Sequence, residues 1–188
     1  MADFTIISDV SNEVLKLLRE ELCPELIPSP ESIALAAPTD KNADFQMGLY
    51  LYDIQELREY QQVDMIRLTG SRAQYPPRLL TLYYAVYINS RSQMMSTPEN
   101  EQRILGRVSQ ALMDRAALQG AAAKGETAPS MTLQMLSFEE KTRIWAVLSV
   151  PYQLGVYFQA APVTLSSRRT REFKRVVDAD FTAEQIGR

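Results

Sequence analysis

The sequence predicts a mixed α/β, or α+β, domain in which a mixed, largely antiparallel β-sheet is flanked by helices. Three long segments carry this prediction, because each is apolar and rich in aromatic or branched residues. They are GLYLYDI at Gly48–Ile54, YPPRLLTLYYAVY at Tyr75–Tyr87, and EEKTRIWAVLSVPYQLGVYF at Glu139–Phe158. The glycine-rich phosphate loop of a doubly wound nucleotide-binding fold is missing from the sequence.

The length and composition indicate one soluble globular domain over residues 1–188. Hydrophobic residues make up 46% of the chain and charged residues 23%. No apolar run approaches the roughly 20 residues that span a bilayer. The first ten residues, MADFTIISDV, carry no readable secretory signal. Folding in the cytoplasm is therefore expected.

Three elements are predicted before residue 55 from the spacing of apolar residues, the prolines and the polar turns. They are a helix over Asp9–Leu22 that Ser8 or Asp9 caps and Pro24 ends, an edge strand at Ile33–Ala37, and a central strand, buried on both faces or nearly so, at Phe45–Ile54.

The polar segment Gln55–Gln74 predicts a long loop or irregular excursion, because it has no apolar face wide enough for a helix. Arg67 and Arg72 lie in it. Loops of more than about 15 residues inside a compact domain are usually functional or bound to a partner. The segment is therefore a candidate contact surface, and the alternative is a surface loop without a role.

Local signals also define the carboxyl half. Thr97-Pro98-Glu99 opens a long helix, and Ser137 to Glu140 matches a capping box that opens a short one. Trp145, the only tryptophan, is expected to anchor the short helix in the core. The remaining elements are a strand at Arg78–Asn89, the end of the long helix by Gly120, a flexible connection Gly120–Ser130, a strand at Met131–Leu136, the end of the short helix near Leu148, and strands at Tyr152–Val163 and Phe173–Asp180.

The stretch SSRRTREFKR places five positive charges within eight residues of an acidic chain. These residues are Arg168, Arg169, Arg171, Lys174 and Arg175. They predict a docking surface for an acidic partner, since charge complementarity sets register and partner choice. The alternative is a solvated loop and strand edge, because edge strands commonly carry charge.

Catalysis is not predicted. The chain has no histidine, which removes the commonest general base and most zinc and iron sites. Cys23, the only cysteine, is expected to be a small core residue. A net charge of −3 argues against general nucleic-acid affinity, which only a local basic patch could provide. No cofactor or metal is therefore expected, and a carboxylate enzyme built on Asp53 and Glu56 is the remaining catalytic alternative.

Seven phrases in order along the chain resemble the cap, or tail-terminator, proteins of phage-tail-like contractile injection systems. The resemblance covers nearly all of the sequence. The phrases are FTIISDVSNEVLKLLRE at Phe4–Glu20, LYLYDI at Leu49–Ile54, YPPRLLTLYY at Tyr75–Tyr84, EQRILGRVSQALMD at Glu101–Asp114, LSFEEKTRIW at Leu136–Trp145, PYQLGVYF at Pro151–Phe158 and RVVDADF at Arg175–Phe181.

The resemblance implies a tail-terminator-like fold and a structural protein without catalysis. It implies a ring, expected to be a homohexamer, on the distal end of the inner tube, where it ends tube growth and anchors the last sheath layer. The implied partners are other copies of the chain, the inner tube protein, the sheath protein and a second cap paralogue, without nucleic acid or membrane. The particle would assemble in the cytoplasm and could leave the cell. The basic stretch Arg168–Arg175 is the first candidate for gripping tube or sheath.

A different class of function stays open from the residues alone. A soluble adaptor could bind a partner by adding a long edge strand to that partner's sheet. A ring-forming terminator would make heterologous self-contacts that close, whereas an adaptor would not.

Overall fold

A five-stranded sheet forms the centre of the protein. The computed structural model describes residues 4–40, 44–57, 64–69, 71–92, 96–115, 117–118 and 128–172. The elements are α1 (Ile6–Leu22), a 3-10 turn (Pro30–Ser32), β1 (Ile33–Leu35), β2 (Met47–Glu56), β3 (Ile66–Thr69), β4 (Arg72–Gln74), β5 (Arg78–Ile88), α2 (Pro98–Asp114), β6 (Ser130–Leu133), α3 (Phe138–Val147), β7 (Gly155–Leu165) and β8 (Thr170–Glu172).

The main sheet has the strand order β1-β2-β5-β7-β6. β1 pairs with β2 in parallel, and the other three ladders of this sheet are antiparallel. A second sheet has the order β3-β4-β8 and is antiparallel throughout. The predicted class, a largely antiparallel sheet with flanking helices, is therefore confirmed. No helix in the described ranges has the length and apolar character needed to cross a membrane.

One face of the main sheet packs against α1 and α2. The spacing of Val10, Val14 and Leu18 on α1 puts them on one stripe, and all three are buried. Ile104, Val108 and Leu112 do the same on α2. Between these stripes and the sheet lie buried residues of the central strands, which are Leu49, Leu82, Tyr84, Val86, Phe158 and Ala160.

The opposite face carries a smaller aromatic cluster. Trp145 of α3 is buried and meets Tyr87 edge to face, with ring centroids 5.4 Å apart. Its indole N–H donates to the Tyr157 hydroxyl at 2.7 Å. Phe45 completes the cluster. The prediction of Trp145 as a core anchor is confirmed, and it is the only buried residue of α3.

Both carboxyl-half cap predictions are confirmed. The Thr97 hydroxyl accepts from the Asn100 amide at 3.3 Å, with Pro98 in the first turn. Ser137 and Glu140 form the complete capping box. These hydrogen bonds satisfy amides that the first helical turn otherwise leaves without a partner.

The start of the first helix is predicted wrongly. α1 begins at Ile6, and Ser8 and Asp9 lie inside it instead of capping it. Their side chains bond back to the preceding turn, since Ser8 donates to the Thr5 carbonyl and Asp9 accepts from the Thr5 hydroxyl. The helix ends before Pro24, as predicted.

β1 is a sheet edge and β2 lies inside the sheet, as predicted, but the burial expected for β2 is wrong in its second half. Met47, Gly48 and Leu49 are buried, whereas residues 53–56 are exposed. A register shift between Leu51 and Asp53 separates the two halves. The exposed half pairs with residues 80–83 of β5.

Two glycines predict opposite effects of the same substitution. A Cβ at Gly155 would lie 2.4 Å from the Val86 carbonyl oxygen, which belongs to the central strand β5. A Cβ at Gly106, on the exposed side of α2, meets nothing within 4 Å. We expect Gly155→Ala to lower the free energy of unfolding by about 1–3 kcal/mol. Gly106→Ala should raise it by about 0.5–1 kcal/mol. Urea denaturation measures both free energies of unfolding. If the two substitutions change stability in the same direction, the packing described for β7 is wrong.

A second pair of variants tests the contact between α1 and α2. Arg107 bonds to the Glu21 carboxylate at 2.9 Å, and that side chain is only 18% exposed. One turn earlier, Arg103 lies 3.9 Å from the exposed Glu99. Arg107→Gln should cost about 1 kcal/mol in the free energy of unfolding, whereas Arg103→Gln should change it by about 0.3 kcal/mol at most. If urea denaturation gives a similar loss in the free energy of unfolding for both variants, the ion pair between the helices does not stabilise the protein more than the exposed one.

Candidate partner-binding surface

Strands β4 and β8 continue the central strands β5 and β7 out of the main sheet. Pro76-Pro77, which lack amide donors, interrupt the ladder on one side, and residues 166–169 cross the same gap on the other. The Tyr75 amide donates to the Arg169 carbonyl at 2.9 Å, and the Gln74 side-chain amide donates to the Ser167 carbonyl. β3 then adds to the free side of β4. We call β3, β4, β8 and residues 166–169 the arm.

The arm corrects the prediction of a loop over Gln55–Gln74. β2 extends to Glu56, and residues 66–69 and 72–74 form strands. Residues 58–63 and 70 lie outside the described residues. In the basic stretch, β8 forms at Thr170–Glu172, within the region expected to be a loop. The strand expected at Phe173–Asp180 lies outside the described residues.

The register of the arm brings Arg67 and Arg171 to one face. Ala73 on the middle strand is the direct partner of both residues. Directly opposite residues in antiparallel strands project to the same face, so the two arginines flank Ala73 with their Cα atoms about 10 Å apart. Ala73 is 1% exposed, whereas both arginines are exposed. The centre of this face is therefore closed, and the arginines form its accessible margins.

Arg72 lies on the opposite face of the arm. It is the direct partner of Glu172 on β8, and its guanidinium donates to the Thr170 hydroxyl at 3.1 Å. Of the arginines predicted to bind a partner, Arg72 thus has a visible role within the arm, where it joins β4 to β8.

The other predicted basic residues follow the path of the chain toward β8. The Arg169 guanidinium lies 4.5 Å from the centroid of the Tyr75 ring, and that of Arg168 lies 5.7 Å from the Phe4 ring. Both arginines are exposed. Stacking on an aromatic ring holds a guanidinium in place without neutralising its charge. Lys174 and Arg175 lie outside the described residues.

The arm has the charge sign opposite to that of the whole chain. Its described residues include five arginines against one acidic residue, Glu172, in a protein of net charge −3. It also exposes two apolar side chains of β3, Ile66 at 44% and Leu68 at 46%. Arginine next to accessible apolar surface is a combination enriched in protein–protein interfaces.

The carboxylates considered for catalysis do not come together. Asp53 and Glu56 are three residues apart on β2, so they project to opposite faces of the sheet. Asp53 accepts from the Gln55 side chain at 2.7 Å, and Glu56 forms an ion pair with Arg78 at 2.7 Å. Within the described ranges, no cluster of acidic or cysteine residues has the arrangement of a metal site.

Cys23 does not have the surroundings of a nucleophile. It is half-buried after the last turn of α1 and packs against the main core, as expected of a small core residue. It lines a groove of about 500 Å³ together with Leu15 and Pro24. Burial raises the pKa of the thiol above its usual value, so the reactive thiolate is disfavoured at neutral pH.

Sequence reasoning found the basic residues of the arm but missed the residues that organise them. Ala73 and Thr170 have no charge or motif that marks them, and the phrase that begins at Tyr75 does not connect it with the basic stretch. The contact between Arg72 and Thr170 joins positions 98 residues apart, and no local signal predicts such a pairing.

A family model described as the Pvc16 N-terminal domain matches residues 9–179 of the chain. No protein among the curated sequences matches the chain.

Two solved structures have a similar fold. One is the PVC sheath/tube terminator of an extracellular contractile injection system in its extended state, with a TM-score of 0.68 and 19% identity. The other is the tube-terminating cap of the anti-feeding prophage, with a TM-score of 0.65 and 19% identity. The similarity covers 100% and 94% of this chain. The chain spans 66% and 61% of the length of those two proteins.

The short strands of the arm predict that it can open separately from the main sheet. Proline at position 73 would remove an amide from the middle strand and should cost about 3 kcal/mol there. We therefore expect Ala73→Pro to speed hydrogen exchange at residues 72–74 and 170–172 while β5 stays protected. Ala73→Gly is the control and should have a much smaller effect. Loss of protection across β5 in the proline variant would mean that arm and main sheet unfold as one unit.

Proposed function

Because the chain belongs to the Pvc16 N-terminal domain family, we propose that it is a structural cap, or tail terminator, of a contractile injection system. The observation that carries this proposal is the fold, which matches two terminating caps over nearly the full length of this chain. The cap sits on the distal end of the inner tube, where it ends tube growth and anchors the last sheath layer. It acts without catalysis, cofactor or metal.

In this proposal the chain assembles into a ring, expected to be a homohexamer. Its contacts are to other copies of itself, the tube protein, the sheath protein and a second cap paralogue, without nucleic acid or membrane. The particle assembles in the cytoplasm and can be released with its cap. The fold and the family support this architecture, because a tube of repeated subunits ends in a closed, symmetric ring of heterologous contacts.

The basic residues Arg67, Arg72, Arg168, Arg169 and Arg171 of the arm are the proposed contact with the tube or the sheath, and Lys174 and Arg175 are proposed with them from the sequence alone. For the five arginines of the arm the support is charge, exposure and their convergence on one small sheet. Arg72 contributes through the arm itself, because it joins β4 to β8.

The adaptor alternative is not favoured. It requires a long strand at a sheet edge, but the edges of the main sheet are β1 and β6, with three and four residues. The strands of ten and eleven residues, β2, β5 and β7, all lie inside the sheet.

Deletion of the gene tests the proposal directly. Particles purified from cells without the chain should have irregular tube lengths, incomplete sheath and no density at the end away from the baseplate. We expect these defects because tube growth has no stop when the terminator is missing. Electron microscopy can score all three features.

Expression of the wild-type chain in the deleted cells is the control and should restore uniform, capped particles. The Gly155→Ala variant gives a second comparison, since a destabilised cap should restore them incompletely. If cells that lack the gene still produce uniform, capped particles, the proposal is wrong.

A further inference from the structure

We infer that the face of the arm marked by Arg67 and Arg171 docks on a carboxylate-bearing protein surface of the tube–sheath end. This inference rests on the proposed function and names the chemistry of the partner at that site. Its basis is the strand register, which puts two exposed arginines from distant segments on either side of the buried Ala73.

The residue type indicates what the face recognises. All five basic residues in the described part of the arm are arginine. A guanidinium presents a rigid fork of donors that matches a carboxylate in two parallel hydrogen bonds, whereas the ammonium of lysine is a point charge. Two such groups about 10 Å apart fit two carboxylates on one surface more closely than a single buried anion.

The surroundings favour a protein surface over nucleic acid. Nucleic-acid affinity grows with the number of phosphates that basic residues neutralise, and this chain has an overall charge of −3. Ile66 and Leu68, the chain neighbours of Arg67, expose apolar area on the same edge strand, with Ile66 projecting to the face opposite Arg67. Apolar contact of this kind strengthens a protein interface and has no counterpart along a phosphate backbone.

The arm is held rigidly enough to act as a docking surface. Its strands continue β5 and β7, so the direction of the arginine face is set by the centre of the main sheet. The hydrogen bonds from Tyr75 to Arg169 and from Gln74 to Ser167 hold the gap at Pro76-Pro77. A face held in this way loses less conformational entropy on binding than one on a long loop.

The test compares two double charge reversals with the same change in net charge. Arg67→Glu/Arg171→Glu removes the proposed contact. Arg103→Glu/Arg143→Glu changes two exposed arginines on α2 and α3, outside the arm. The binding partner is contractile particles purified from cells that lack this chain. Co-sedimentation measures the apparent affinity at low and at high salt.

We expect wild type and the Arg103→Glu/Arg143→Glu control to bind within about twofold of each other. The Arg67→Glu/Arg171→Glu variant should bind at least about tenfold more weakly, and binding of the wild type should weaken as salt rises, because exposed charges are screened. Arg67→Gln/Arg171→Gln should lie in between. Thermal unfolding confirms that each variant folds.

Four outcomes would overturn the inference. If the two double reversals bind equally well, the proposed contact through the arm is wrong, but the proposed cap function is not affected. Retention of wild type on double-stranded DNA, lost in the Arg67→Glu/Arg171→Glu variant, would assign the face to nucleic acid. A loss confined to self-association, measured by analytical ultracentrifugation, would assign it to a second copy of the chain. Failure of wild type to bind the particles would overturn both the inference and the proposed function.

Discussion

The antiparallel ladder between β5 and β7 is the constraint on which the rest of the structure depends. The two strands have eleven residues each and pair from Arg78 opposite Leu165 to Tyr87 opposite Gly155. They supply buried residues to the helical face and to the aromatic face of the sheet. The same two chain segments then leave the sheet together and pair again as β4 and β8. The arginines of the arm are therefore carried by the chain segments that leave this ladder, and the β4–β8 and β3–β4 pairings set their register.

The two faces of the sheet are stabilised in different ways. Two helices of seventeen residues cover one face with a mostly aliphatic core that also contains Tyr84 and Phe158. The other face holds a short helix through Trp145, its only buried residue, whose indole N–H bonds to Tyr157, and through the more exposed contacts of Phe138 and Lys141. Burial raises the pKa of Tyr157, so its hydroxyl stays protonated at neutral pH and keeps this hydrogen bond. Truncation of Trp145 would thus affect α3 far more than the helical face.

Sequence reasoning succeeded where the signal is local. The Thr97 cap, the capping box at Ser137 and the long strands β5 and β7 follow from neighbouring residues and from runs of aromatic and branched side chains. It failed at α1, where Ser8 and Asp9 have the composition of a cap but the chain continues the helix back to Ile6. It also failed at the arm, because strands of three or four residues are too short to show a pattern of their own. They pair because they continue two strands that are already paired in the main sheet. Those strands are far apart along the chain, so no local stretch of sequence indicates the pairing.

The way the arm is attached determines how a load would pass through the protein. A pull on the arm acts along β5 and β7, which are interior strands bonded on their outer sides to β2 and β6. Such a pull loads the hydrogen bonds of the β2–β5 and β6–β7 ladders together, whereas a pull across a sheet edge would break them one after another. An arm on the short edge strand β1 would lack this resistance. For the proposed role, in which the chain anchors the end of a contractile sheath, this arrangement is favourable, because the strain is shared by the most extensively paired strands of the fold.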